Sequence, residues 1–196
     1  MEETGREKFE RDLDLLLARL KHGADEAAGP KLESQRNRLI RLHKENVVKI
    51  NHSVMELVCA KHLILKGYEV TVEHPLAGNL VCDLYGTRGM GTVILEVETG
   101  FVPPEDALYP ITYWKARIAS KIARYSAHAH KFGLATPPHH ILQIPQVFLK
   151  PPRERDQGDL REVKGMCDRY YKNPPIRLQE LRYGLLHTVC LIDVDR

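Results

Sequence analysis

The chain has 196 residues, of which 43% are hydrophobic and 28% are charged. This balance is typical of a globular protein and excludes a disordered chain. No run of apolar residues approaches the ~18 that cross a bilayer, and the charged N-terminus lacks the apolar centre of a signal peptide. We therefore expect a cytoplasmic protein without membrane contact. The net charge of +3 is too small by itself to indicate a nucleic-acid partner.

Four cysteines are scattered along the chain, each among apolar neighbours and none in a CxxC pair: Cys59, Cys82, Cys167 and Cys190. This pattern predicts reduced, buried thiols. The spacing supports neither a disulfide framework nor a zinc site.

The basic residues are unevenly distributed. From Ala107 through Arg153 there are seven Lys and Arg but no Asp or Glu, and residues 31–49 hold six Lys or Arg against two Glu. Basic zones beside an acidic cluster suit a polyanion held next to a metal ion. The alternative is a chance asymmetry on solvated faces.

The first 46 residues predict a helical hairpin. An amphipathic helix spans residues 5–22, and a second begins near Lys31 after a Gly- and Pro-containing break. A hairpin of this size buries little by itself. It is expected to pack on the main domain or on a second subunit, which makes it a candidate dimerisation element.

The main domain is predicted to span residues 47–196. Its order of elements is α-β-β-β-α-β-α-β, which indicates an α/β fold with a mixed central sheet flanked by helices. The predicted elements are a helix from Val47 to about Lys66, strands at 68–74, 79–86 and 91–99, a helix at 112–132, a strand at 140–149, helices at 159–172 and within 176–184, and a final strand at 185–194.

Three acidic residues in the second and third strands stand out. Side chains alternate along a strand, so Glu96 and Glu98 point to the same face. An antiparallel hairpin would bring Asp83 across from one of them. Three converging carboxylates form an oxygen-rich site suited to Mg²⁺ or Mn²⁺. The alternative is that they line the solvent face of an ordinary amphipathic sheet.

Glu56 is the single charge in the helical segment VMELVCA. It falls opposite the most polar positions of that helix, which turns its carboxylate toward the sheet. A carboxylate there needs a partner or a metal ion. The alternative is an edge position that reaches water.

A helix with Glu56 is followed by a strand with Asp83, a strand with the Glu96-Val97-Glu98 motif and a basic helix. This order of elements resembles the PD-(D/E)XK nuclease superfamily, and its layout is most similar to that of archaeal Holliday junction resolvases. The resemblance covers about residues 47–150 and implies a restriction-endonuclease-like fold. Glu56, Asp83 and Glu96 match the acids of the family pattern, with twelve residues between Asp83 and Glu96. Glu98 occupies the usual lysine position, as in restriction enzymes of the superfamily that carry E-x-E.

The resemblance also implies roles for these residues. Asp83 and Glu96 would bind the metal ion together with the Val97 carbonyl, and Glu56 would act from outside the ligand set. Glu98 would position or deprotonate the attacking water, or bind a second ion. Lys121 would take over the lysine role and neutralise the scissile phosphate.

The helix at 112–132 carries a basic stripe, because Arg117, Lys121 and Arg124 lie at i, i+4 and i+7. Together with Lys115 they are candidate nucleic-acid contacts, and a solvated basic face is the alternative. Four nearby histidines leave a zinc site open as a minor alternative, although no pattern supplies a full ligand set. They are His128, His130, His139 and His140.

The expected function is therefore a metal-dependent endonuclease that hydrolyses phosphodiester bonds and selects substrate shape rather than sequence. DNA is favoured over RNA as the partner, and the resemblance implies a homodimer. One alternative is a catalytically inactive nucleic-acid-binding module on the same fold. Another is a protein-interaction subunit that uses its apolar N-terminal helix.

Overall fold

The computed structural model describes residues 5–195 as an α/β protein with a five-stranded mixed sheet flanked by helices. The predicted α/β class and mixed sheet are confirmed, whereas the restriction-endonuclease-like identity stays a prediction. The chain divides into two compact units. The first extends to Val97 and includes the residues from Ile192 onward, and the second runs from Glu98 to Leu191.

Three helices build one side of the first unit: α1 (Gly5–Lys21), α2 (Ala28–Lys44) and α3 (Ile50–Leu65). The apolar faces of α1 and α2 are buried against each other and against α3, with Leu13, Leu32 and Leu39 fully enclosed. The hairpin thus packs on the main part of its own chain, as one of the two alternatives predicted. Dimerisation and a domain boundary near Val47 stay predictions.

An antiparallel β-meander completes the first unit, formed by β1 (Glu69–Pro75), β2 (Val81–Arg88) and β3 (Gly91–Val97). Val72 and His74 of β1 pair with Leu84 and Cys82 of β2, so the register places Glu73 opposite Asp83. On the other side of β2, Leu84 pairs with Leu95 of β3. The acidic residues of the three strands therefore meet at one level of the sheet.

The second unit contains two parallel strands, β4 (Lys131–Thr136) and β5 (Thr188–Leu191). Its helices are α4 (Pro110–Tyr125), α5 (Gln157–Tyr170) and α6 (Leu178–Tyr183), which contact one another. The observed order from α3 onward is α-β-β-β-α-β-α-α-β, which agrees with the predicted order apart from the additional short helix α6 and the position of the fourth strand.

The position of the fourth strand was predicted wrongly. Residues 140–149 contain a 3₁₀ helix (Gln146–Leu149) and no strand, and α4 ends at Tyr125 rather than at residue 132. The true strand, β4, is only six residues long, and its Gly133 resembles a helix terminator at the end of the predicted helix. Pro145 prevents regular pairing in the segment that was expected to be the strand.

Cys59, Cys82 and Cys167 are buried, reduced thiols, as predicted, and Cys190 is a half-buried one. Within residues 5–195, no helix combines the length and apolar character needed to span a membrane.

Gly86 lies in β2, the strand that carries Asp83, and has no room for a side chain. A Cβ atom there would lie 2.9 Å from Val93 Cγ1 and 3.2 Å from Tyr68 Cδ1. We expect Gly86→Ala to lower the free energy of unfolding by about 1–3 kcal/mol through overpacking. Gly165→Ala, in open space on α5, is expected to raise it by about 1 kcal/mol through helix propensity. Urea denaturation followed by circular dichroism measures both, and similar midpoints for the two variants would contradict this packing account.

Candidate metal centre

Four side chains of the first unit converge on one point: His52 and Glu56 from α3, Glu73 from β1 and Asp83 from β2. One ligand atom from each lies within 4.8 Å of those of the other three. His52 and Glu56 are four residues apart, which places them on one face of α3. Opposite positions in the strand register bring Glu73 and Asp83 together. Helix periodicity and strand register together thus assemble the cluster.

Glu56 is completely buried. Its Oε1 atom lies 2.6 Å from His52 Nδ1. Its Oε2 atom is also buried and receives no hydrogen bond from an amide, hydroxyl or basic group of the described residues. Burial raises the pKa of Glu56, although His52 opposes this effect. The alternative of an edge residue reaching water is therefore wrong.

The His52 ring connects α3 to the ends of the strands. Its Nε2 atom lies 3.3 Å from the Val97 carbonyl oxygen and 3.6 Å from Asp83 Oδ2. The imidazole therefore adds a nitrogen donor to the group, of the kind that transition-metal ions accept.

The carboxylates of Asp83 and Glu96 each accept a hydrogen bond from a backbone amide of the neighbouring strand. The Val97 amide donates to Asp83 Oδ2 at 2.6 Å, and the Asp83 amide donates to Glu96 Oε1 at 2.9 Å. These bonds lie next to the pair of Leu84 with Leu95 in the β2–β3 ladder. The predicted approach of Asp83 to Glu96 is confirmed, and both carboxylates are fixed by charge-assisted bonds to the backbone.

Glu73 has a backbone φ of 48°, in the left-handed region that residues other than glycine rarely adopt. Its pKa is raised to about 8 by burial and then by the negative charges of Glu56 and Asp83. At neutral pH Glu73 therefore retains a proton, which it can share with Glu56 through their hydrogen bond. The proton relieves the repulsion that three adjacent carboxylates would otherwise experience.

This donor set fits a divalent cation. It supplies three carboxylates and one imidazole, and it includes a buried carboxylate oxygen that lacks a permanent donor. Oxygen-rich sites suit Mg²⁺ and Mn²⁺. Within residues 5–195 this is the one such group of His, Cys, Asp and Glu, and it contains none of the four histidines named for a zinc site.

A second charged cluster lies in the second unit and centres on Glu98, which is 2% exposed. Arg117 Nε donates to both Glu98 oxygens at 2.8 and 3.0 Å, and Lys121 Nζ lies 2.8 Å from Glu98 Oε1. Burial opposes ionisation of Glu98, but Lys121 and Arg117 outweigh it and lower the pKa. Two cations thus neutralise the buried carboxylate of Glu98.

The two acids of the E-x-E motif therefore have different surroundings. Glu96 is 1% exposed and Glu98 is 2% exposed, so the alternative of a solvated acidic sheet face is wrong. Glu96 accepts a backbone amide, whereas Glu98 is neutralised by two basic side chains. Its two ion pairs favour a structural or charge-balancing part for Glu98, and its role toward water stays a prediction.

Of the other two predicted nucleic-acid contacts, Arg124 has partners within the protein, whereas Lys115 lines a cavity. Arg124 donates to the Pro174 carbonyl and lies over the Tyr171 ring. Lys115 lines a cavity of about 310 Å³ together with Asp159 and Glu162. In the basic zone at 31–49, ion pairs join Lys31 to Glu69, Arg36 to Asp14 and Lys44 to Glu10. These zones therefore offer less free positive charge than the sequence suggests.

The structure brings Glu56 and Asp83 together as predicted, ties Glu96 and Val97 to them through hydrogen bonds and the His52 contact, and pairs Lys121 with Glu98. His52 and Glu73 were missed. His52 could have been found from its spacing of four residues before Glu56, whereas the place of Glu73 depends on the β1–β2 register, which the sequence alone does not give.

Comparisons with protein-family models, with curated proteins and with solved structures found no significant match to this chain. The geometry of the cluster is therefore the main basis for a functional proposal.

The raised pKa of Glu73 predicts a pH-dependent cost to stability. Between its ordinary pKa near 4.5 and its folded pKa of about 8, the unfolded chain loses this proton before the folded protein does. The wild type should therefore lose stability as pH rises through this window. We expect Glu73→Gln to raise the melting temperature by a few degrees at pH 8.5, and by much less at pH 5, in metal-free buffer. Equal differences at both pH values would contradict the protonated state of Glu73.

Proposed function

We propose that this protein is a divalent-metal-dependent nuclease whose metal site is the cluster of His52, Glu56, Glu73 and Asp83. The observation that carries the proposal is the convergence of three carboxylates and one imidazole around a buried carboxylate oxygen. Such an arrangement is electrostatically unfavourable unless a proton or a cation occupies it. A cluster with this composition is suited to Mg²⁺ or Mn²⁺.

The order of the acids along the chain supports phosphodiester hydrolysis in particular. Glu56 lies on a helix, Asp83 and Glu96 follow on two adjacent antiparallel strands, and a helix with basic residues comes next. This is the succession on which the resemblance to PD-(D/E)XK nucleases rests. Lys121, paired with Glu98, is a basic residue that can stand in for the lysine missing from the E-x-E motif.

A divalent ion held by the carboxylates and the imidazole of this cluster would supply an activated water and would stabilise negative charge on a phosphodiester. Asp83 is suited to bind it, because the Val97 amide fixes one carboxylate oxygen. Glu96 acts by holding the Asp83 backbone in place. Glu73 contributes its carboxylate once its proton is released, so metal binding and proton loss are coupled.

Arg117 and Lys121 are the groups best suited to an anionic substrate. Both are basic groups that pair with Glu98, and positive charge of this kind favours approach of a phosphate. Contacts of this kind recognise the backbone rather than the bases, which is consistent with selection by shape. DNA is the proposed substrate.

A non-catalytic nucleic-acid-binding module is the second candidate. It is favoured by the neutralisation of Glu98, because a carboxylate paired with two cations is a weak proton acceptor. Such a module would keep affinity for nucleic acid but would not hydrolyse it.

The test is cleavage of a labelled panel of duplex, flap, four-way junction and single-stranded DNA in Mn²⁺ or Mg²⁺. We expect Asp83→Asn to reduce the rate by more than about 100-fold, since even groups that only orient a metal ligand contribute 10–100-fold. Glu96→Gln is expected to cost about 10–100-fold for that reason. Glu69→Gln is a matched control, because this acid lies on β1 but is exposed.

Metal-dependent cleavage that is lost in Asp83→Asn and retained in Glu69→Gln would support the nuclease. Binding of a substrate without cleavage in either metal would favour the non-catalytic module. If wild type neither binds nor cuts any member of the panel, the proposed function is wrong.

A further inference from the structure

The strained backbone of Glu73 needs a structural cause. A left-handed conformation persists in a residue other than glycine only when its surroundings enforce it. The strand register is regular on both sides of Glu73, with Val72 and His74 in their expected pairs. The strand pairing by itself therefore does not explain the distortion.

Two side chains of α2 contact the backbone at this position. Arg38 donates from Nε to the Val72 carbonyl at 2.7 Å and from Nη2 to the Glu73 carbonyl at 2.8 Å. Gln35 Oε1 accepts the Val72 amide at 3.1 Å. The two Arg38 bonds thus fix the two consecutive peptide groups that flank the Glu73 Cα atom, and the Gln35 bond fixes the peptide group before them.

The pair of hydrogen bonds from Arg38 to two neighbouring carbonyl oxygens suits a guanidinium group in particular. Its planar fork donates to two neighbouring carbonyl oxygens at once, which a lysine ammonium does with less directional control. Gln35 is buried and Arg38 is half-buried. Arg41, one turn later on α2, is exposed and lines a cavity of about 560 Å³ together with Gln35 and Arg38.

We propose that Arg38 and Gln35 are positioning residues of the metal site, which hold Glu73 in its left-handed conformation so that its carboxylate faces Glu56 and Asp83. This inference rests on the proposed metal-binding function. It gives the N-terminal hairpin a part in the site, because α2 determines the geometry of one ligand. Neither residue touches the metal or the substrate.

The test compares Arg38→Met with Arg38→Lys and with the control Arg41→Met. Mn²⁺ affinity is measured by titration calorimetry and by electron paramagnetic resonance without nucleic acid. The conformation of Glu73 is followed by NMR, through its amide–Hα coupling constant and backbone carbon shifts. Thermal melting confirms that each variant is folded, and Gln35→Leu replaces Arg38→Met if that variant does not fold.

We expect Arg38→Met to weaken Mn²⁺ binding at least about 10-fold, as for other groups that orient metal ligands. The Glu73 NMR parameters should move toward those of an extended strand. Arg38→Lys should fall between Arg38→Met and wild type, and Arg41→Met should match wild type.

Unchanged Mn²⁺ affinity in Arg38→Met would overturn the positioning role, even if the variant melts at a lower temperature. The same conclusion follows if the Glu73 parameters do not change. If wild type itself binds no Mn²⁺, the proposed metal function fails along with the inference. Failure of metal binding can be distinguished from failure of the positioning role, because the NMR parameters still report whether Arg38 fixes the Glu73 backbone.

Discussion

Mutual repulsion between buried carboxylates is the constraint on which the rest of this site depends. Glu56, Glu73 and Asp83 place ligand oxygens within 4.8 Å of one another, and Glu56 has no exposure to solvent. Three negative charges at this spacing are strongly unfavourable when burial removes water. The protein relieves this with His52 beside Glu56 and with a proton on Glu73. A divalent cation would relieve it more completely, which is why the cluster is interpreted as a metal centre.

The surrounding structure is arranged to keep the carboxylates together despite this repulsion. Asp83 and Glu96 each accept a backbone amide from the neighbouring strand, so neither can turn away without leaving a donor unpaired. Glu73 is held through its backbone, by Arg38 and Gln35 of α2. Backbone strain and shifted pKa values are common features of functional centres. The strain at Glu73 therefore strengthens the interpretation.

Much of the site could be predicted from local patterns. The alternation of β3 and the short turn before it predict that Asp83 lies near Glu96, because an antiparallel hairpin leaves few registers. Glu56 could be placed by helix periodicity. Glu73 could not, because its place in the cluster depends on the β1–β2 register and on a left-handed φ imposed by α2. The partners of Glu98 also required tertiary structure, since Arg117 and Lys121 lie about twenty residues away.

The fourth strand, β4, shows a different reason why structure could not be predicted from the sequence alone. Residues 131–136 follow closely after α4, and their small residues fit a helix end as well as a short buried strand. Burial of Phe132 and Leu134 decides between the two, and burial depends on the remainder of the fold. The segment at 140–149 has more apolar residues but is interrupted by proline, which cannot donate to a strand ladder.

The most direct measurement is anomalous diffraction at the manganese edge from crystals grown with Mn²⁺. This account predicts one peak among His52, Glu56, Glu73 and Asp83, at distances of about 2.1 Å from carboxylate oxygens. The peak should be absent in Asp83→Asn crystals grown in the same way. Well-diffracting wild-type crystals with no peak in this cluster, or with manganese bound only elsewhere, would contradict the assignment of a metal centre.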